Sequence, residues 1–266
     1  MDFSPLEHSD LDSLKEFQPE AWTDIVPHNR YFIDSPFCYP LKLTINNKLV
    51  GIGTYIMHAD TVWLAHIIIH KEYRGHGFGT LITEKLVNSI DHKKFKTIYL
   101  IATELGEHVY KKLDFITETE YLFFKDSQLD KNIPISPNII PFEEKYRIQV
   151  IDLDKEVSGE DRENRLKETI NSSLLFIKNN ELLGCYFPNL GEGMIIARTP
   201  EAGIELMKLR LQSKEQTIMP VENNTAMQFL LSNNYKEVRR AKRMLLGERR
   251  PWKPTLLFNR VNGQLG

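Results

Sequence analysis

Arg74-Gly75-His76-Gly77-Phe78-Gly79-Thr80 is the stretch whose residue types and spacing best suit chemistry. Its glycines let the backbone turn through left-handed conformations and come close to a ligand. They follow an apolar run, Val62 to Ile69, and precede a helical pattern with Leu81, Ile82, Leu86, Val87 and Ile90 on one face. A helix starting there leaves its first backbone N–H groups unpaired, and its dipole favours negative charge at that end. Arg74 adds a planar guanidinium suited to phosphate. The expected chemistry is the seating of a phosphate-bearing ligand. A Walker-type loop needs Lys and then Ser or Thr after its last glycine, whereas Thr80 follows Gly79 directly; a dinucleotide fingerprint spaces its glycines differently. On the loop alone, a plain strand-to-helix turn stays open as an alternative.

Elements must carry that loop. In the first half, helices are expected over 10–17, 19–26, 77–90 and 104–113, and strands over 41–45, 49–57, 62–69, 97–102 and 115–124, with Asn46-Asn47 as a hairpin turn. Residues 125–141 are polar and hold Pro134, Pro137 and Pro141, which argues for a linker. The second half repeats the order: helices over 142–153, 160–171, 200–211 and 225–232, and strands over 174–177, 181–187, 193–197, 217–220 and 235–246, with Asn179-Asn180 as the turn. The segment from Ala102 to Phe115 aligns weakly with Val221 to Tyr235, which points to duplication of a domain. The fold class read from this is α/β, a mixed sheet in each of two domains.

Composition narrows the class. Of 266 residues, 41% are hydrophobic and 26% charged, ordinary for a globular protein. No apolar run reaches the roughly 18 residues of a membrane span, and Met1 to Pro5 lacks a signal peptide's pattern. Cys38 and Cys185 lie far apart and form neither a disulfide framework nor a metal site; a reducing cytoplasm is the expected compartment. The basic stretch Arg239, Arg240, Lys242, Arg243 allows a nucleic-acid partner, but interleaved Val238, Ala241, Met244 and Leu245 favour a solvated strand face or an inter-domain contact.

The pattern Arg74-x-x-Gly77-x-Gly79 after Ile67-Ile68-Ile69 resembles the acyl-CoA pyrophosphate loop of the GNAT N-acetyltransferase superfamily. The resemblance covers nearly the whole chain. Residues 1–126 look like a complete GNAT domain that binds acetyl-CoA, 127–141 like a linker, and 142–266 like a degenerate GNAT-like domain serving acceptor recognition, as in a group of bacterial acetyltransferases. The degenerate half is marked by Asp152-x-Asp154, Ser158 to Arg162, Gly184 to Gly193 and Glu222 to Ala226. The resemblance implies two tandem GNAT-like domains, each a mostly antiparallel mixed sheet with a central splayed strand pair flanked by helices. In the second half the loop position reads Pro200-Glu201-Ala202-Gly203, without the arginine, so a second working CoA site is not expected.

The implied reaction is attack of a primary amine, on a small molecule or a peptide, on the acetyl-CoA thioester, with no metal. Ile67, Ile68, Ile69, Arg74, Gly75, His76, Gly77, Phe78, Gly79, Thr80 and Thr103 are the expected cofactor-binding residues, the isoleucines through their backbone. Thr103 stands where many relatives carry asparagine. Tyr110 is expected to act as general acid for the departing thiolate, although Asp114 replaces the glycine usual after it; the matching residue of the second half is Leu230. Where some members place a catalytic glutamate this chain has Trp63, so His66 is the candidate base, with water, Glu104 or a second-domain residue as alternatives. His70 and His76 are expected to face solvent or the CoA phosphates. Asp152, Asp154, Glu160, Asp161 and Arg162 line either an acceptor cleft or a capped helix start. A non-catalytic acyl-CoA-binding regulatory module is the alternative to an enzyme. The acceptor and the oligomeric state stay open.

Overall fold

The computed structural model of the chain describes residues 1–20, 22–125 and 133–264. Contacts group them into two compact units that are not contiguous in sequence: Met1–Ile116 with Met244–Glu248, and Thr117–Arg243 with Arg249–Gln264.

The first unit holds β1 (Asp2–Pro5), a 3-10 helix (His8–Phe17), α1 (Ile25–Asp34), β2 (Cys38–Ile45), β3 (Lys48–Met57), β4 (Val62–Ile69), α2 (Phe78–Asn88), β5 (Thr97–Ala102) and α3 (Glu104–Lys111). Strands β1 to β4 pair antiparallel in sequence order, and β5 joins β4 in parallel. Asn46 and Asn47 turn the β2–β3 hairpin with φ of 49° and 61°, a conformation asparagine tolerates and a two-residue hairpin demands. Beside β5 lies the distant segment Met244–Glu248: Glu248 N donates to Lys96 O at 2.9 Å, and Thr97 Oγ1 donates to Glu248 O at 2.7 Å. One face of the sheet buries Leu64, Ile82, Leu86, Leu100 and Phe115 against α2; the other buries Leu11, Leu14, Phe17, Ile25 and Ile68 against the 3-10 helix and α1. Each such side chain contributes about 1.5–3 kcal/mol by leaving water, so the alternation along β4 is what fixes which residues it presents to each side.

The second unit begins within β6 (Ile116–Lys125). It continues through β7 (Ile139–Pro141), α4 (Arg147–Ser158), α5 (Glu163–Leu166), β8 (Leu174–Lys178), β9 (Glu181–Phe187), β10 (Met194–Ala197), α6 (Pro200–Leu211), β11 (Thr217–Pro220), α7 (Asn224–Ser232), the Lys236-to-Arg243 part of β12 (Lys236–Gly247), and β13 (Leu257–Asn259). One ladder runs in the order β13-β10-β9-β8-β7; β11 pairs antiparallel with β6, whose other neighbour is β12. Asn179 and Asn180 repeat the left-handed turn at 53° and 63°.

Several expectations need correction. No helix spans 19–26; Asp24 caps α1 through its side chain on Val26 N at 2.9 Å, and Pro27 sits in the first turn, where its missing N–H costs nothing. Residues 160–171 form only α5 and a short 3-10 turn, because Gly159 ends α4 at φ 70° and Arg162 turns inward to Asp154 at 2.8 Å. The expected linker 127–141 ends in strand β7, which pairs with β8, and its residues 127–132 lie outside the described ones. Strands β1 and β13 were not expected from the sequence. Among the described residues no helix is long and apolar enough to cross a membrane.

Candidate active site

Strand β4 is held by β5 only over its first three residues, Val62↔Ile98, Trp63↔Tyr99 and Leu64↔Leu100. Toward β3 the register slips between Ile52↔Ile68 and Thr54↔Ala65, a bulge at which His66 adopts φ 49°. A bulge bends and over-twists its strand. From Ala65 to Ile69, β4 therefore departs from β5, and the parallel ladder is not continued there. This is the splayed pair implied by the sequence resemblance.

The glycine loop follows at once. Gly75 and Gly77 take φ of 82° and 81°, and a Cβ added at either would meet nothing within 4 Å. Their requirement is conformational, and the space above them is open. Gly77 stands at the N-cap of α2 with no side-chain cap, so the first-turn amides of Phe78, Gly79 and Thr80 keep their outward donors for an anion. Exposed Arg74 is tethered by Nε to Ile69 O at 3.2 Å, which keeps its charge beside the loop. His76 is exposed, with Nδ1 3.0 Å from Arg74 O. His70 departs from expectation: it is buried, its Nδ1 accepts from Glu72 N at 3.4 Å, and its ring meets Phe17 edge-on. It braces the loop rather than facing solvent.

Ile67, Ile69, Phe78 and Tyr110 join the apolar cluster on the α2 face, whereas Ile68 points to the opposite face. Tyr110 lies back along α3, and a Cβ at Gly106 would stand 2.9 Å from its Cε2 and 3.3 Å from its hydroxyl. The ring is partly buried against that cluster, and desolvation pushes its phenol up to about 12. Thr103 caps α3, its Oγ1 accepting from Gly106 N at 3.2 Å. Asp114 takes φ 63° and so fills the backbone role of the missing glycine.

His66 goes to the face opposite Tyr110. Its Nδ1 lies 3.1 Å from Asn29 Nδ2, and Trp22, His28 and Phe32 surround its ring at 5.6, 5.6 and 5.1 Å. Burial first, and His28 second, lower its pKa to about 3. Asn29, His28 and Trp22 were missed from sequence: they precede the strand by some forty residues, and only the α1 packing brings them to the bulge.

The segment Asp152 to Leu166 of the second unit lines a cavity of ≈200 Å³ in which Lys155 and Arg162 stand among Asp152, Asp154, Glu160 and Asp161, with Lys155 3.3 Å from Asp161. Asp154 and Arg162 are both buried and bonded to each other. Ser158 ends α4 and does not cap a following helix. Of the basic stretch, Arg240 pairs with Glu120 and Glu237, Arg243 bonds Glu118 at 2.6 Å, and Arg239 stacks 4.1 Å over Phe123. A larger hollow of ≈400 Å³ lies in the first unit near Phe3, Tyr39, Tyr55 and Lys85, at the far end of α2 from the glycine loop. It lacks the outward first-turn amides and the guanidinium that converge at the loop. Among the described residues no group of three or more His, Cys, Asp or Glu could hold a metal.

Two family models match in succession: residues 6–115 fit the Acetyltransferase (GNAT) family, and residues 150–258 fit an Acetyltransferase (GNAT) domain. The chain belongs to the GNAT acetyltransferases. It carries their domain twice, in tandem, and is an enzyme of this N-acetyltransferase type. A [ribosomal protein bS18]-alanine N-acetyltransferase from Haemophilus influenzae is 32% identical over 77 residues, 28% of this chain and 53% of that protein. The chain thus spans about half the length of this curated relative. Among solved structures, a Pyrococcus horikoshii chain provisionally described as an acetyltransferase matches with a TM-score of 0.83 at 19% identity, covering 100% of this chain and 95% of that one. A tandem GNAT protein from the clavulanic acid biosynthesis pathway matches at 0.62 and 10% identity, covering 92% and 98%. At these identities the structural matches establish the fold alone.

Proposed function

We propose that the first unit transfers an acetyl group from acetyl-CoA to a primary amine by direct attack. The observation that carries this reading is the parting of β4 from β5 beyond Leu64, continuous with an uncapped helix start and exposed Arg74. The pyrophosphate would take the amides of Phe78, Gly79 and Thr80, and Arg74 would neutralise its charge. The pantetheine arm would run along the free edge of Ala65 to Ile69, and a backbone N–H there would polarise the thioester oxygen.

The amine nitrogen's lone pair forms the C–N bond, the C–S bond breaks, the nitrogen loses one proton and the sulfur gains one. Tyr110 is the donor to that sulfur: a phenol pushed up to about 12 is fully protonated at neutral pH. The rise also widens its gap from a free thiol near 8.5, so the donor acts mainly by a hydrogen bond that strengthens as charge builds on sulfur. His66, held near 3, takes an ammonium's proton poorly and serves chiefly to shape the bulge; the amine must then arrive deprotonated. Acceptor recognition is assigned to the second unit as a whole; in its acidic cavity Asp154 is already bonded to Arg162 and Asp161 to Lys155. The bS18-alanine enzyme among the relatives makes a peptide N-terminal amine one acceptor class to screen.

The test is thiol release from acetyl-CoA with a panel of amines and peptide N-termini. Turnover that drops at least tenfold in Tyr110→Phe at unchanged acetyl-CoA affinity supports the assignment. Acetyl-CoA binding without turnover of any amine would favour the regulatory-module reading.

A further inference from the structure

Four elements of the second unit follow one another as in the first: β10 pairs antiparallel with β9 as β4 does with β3, and α6, β11 and α7 succeed it as α2, β5 and α3 succeed β4. The pairing then differs. Strand β4 meets β5 directly over three residues, whereas the neighbour of β10 is β13, with Ile195↔Asn259 and Ile196↔Leu257. On its other side the same segment engages β11, Arg260 N donating to Ile218 O at 2.9 Å.

Side chains complete the insertion. Asn259 Oδ1 accepts from Ile218 N and Thr217 Oγ1, each at 2.8 Å, while its Nδ2 donates to Gly193 O at 2.8 Å, so one fully buried amide ties both walls together. Asn223 caps α7 through Oδ1 on Ala226 N at 2.9 Å and spends its amide on Leu257 O at 3.0 Å. Thr103, at the matching cap of α3, has no amide to give. Phe258 fills the space over the first turn of α6: a Cβ at Gly203 would stand 2.2 Å from its Cζ. The amides exposed at the start of α2 are partly consumed here, since Thr199 Oγ1 accepts from Ala202 N at 3.3 Å.

We propose that Leu257–Asn259 is a built-in occupant of the second unit's cofactor cleft. Its backbone takes the ladder position, and Phe258 the place over the helix start, that acetyl-CoA takes in the first unit on the reading above. The chain therefore binds one acetyl-CoA, and the second unit stays closed to it. The comparison with acetyl-CoA rests on that reading; the occupancy by β13 does not.

Two measurements on the full chain test it. Calorimetric titration with acetyl-CoA should give one equivalent per chain, and Arg74→Ala combined with Gly77→Val should abolish binding entirely. Hydrogen exchange should find the amides from Leu257 to Arg260 slow in the ligand-free chain and unchanged by saturating acetyl-CoA. A second equivalent, binding that survives the double substitution, or amides at 257–260 that exchange freely or speed up when acetyl-CoA is added would overturn the proposal. If the wild-type chain binds no acetyl-CoA, the functional reading fails, while slow exchange at 257–260 still decides whether β13 fills the cleft.

Discussion

His66 gives the sharpest energetic prediction. It is 5% exposed, and burial with His28 lowers its pKa from 6.5 to about 3. The amide of Asn29 donates to Nδ1 at 3.1 Å, so protonation there would break that bond. The native state therefore refuses a proton that the unfolded chain accepts. Stability is complete above the unfolded pKa of 6.5 and is lost as pH falls from there toward about 3. Between pH 7 and pH 5 this one group removes about 2 kcal/mol, at roughly 1.4 kcal/mol per pH unit once the unfolded imidazole is charged. His66→Asn abolishes the titration with a residue that tolerates φ 49°. Urea unfolding at both pH values, with Trp22 and Trp63 reporting the first unit, should show the wild type losing about 2 kcal/mol more than His66→Asn. Equal losses would refute the claim that His66 is buried and neutral.

The same lowered pKa predicts that the acetylation rate rises with pH along the acceptor's own ammonium titration and shows no break near 6.5; a break there that disappears in His66→Asn would restore His66 as the base. Arg243→Ala leaves Glu118, 4% exposed, without its 2.6 Å partner and should cost about 3–5 kcal/mol in thermal or urea unfolding. Gly203→Ala drives a methyl into the Phe258 ring and should destabilise the second unit by about 1–3 kcal/mol, read from faster exchange at 257–260.

Much of the site was legible because local rules govern it. The Asn-Asn pairs of both hairpins, the bounds of β4 and β5, and the glycine loop before α2 follow from turn chemistry and hydrophobic periodicity, which act over a few residues. What the sequence concealed is non-local. Leu257–Asn259 is only three residues long and follows a proline-bearing stretch, so no periodicity marks it; its place is set by β10 and by Asn223, thirty residues and more away. Met244–Glu248 reads as the end of one strand, yet its contacts lie with Lys96 and Thr97. A truncation at the proline-rich segment would thus strip the first unit of an edge, and a deletion of the second half cannot isolate it. Glu160 and Arg162 look like a solvated helix start, but burial turns them into core electrostatics.

On the proposed reading, acetyl-CoA lies along the free edge of β4 in the first unit. Hydrogen exchange of the amides from Ala65 to Ile69 and from Phe78 to Thr80, with and without saturating acetyl-CoA, tests it most directly. Both segments should slow together, and Arg74→Ala with Gly77→Val should remove the effect. Binding that leaves both segments unchanged would contradict that reading.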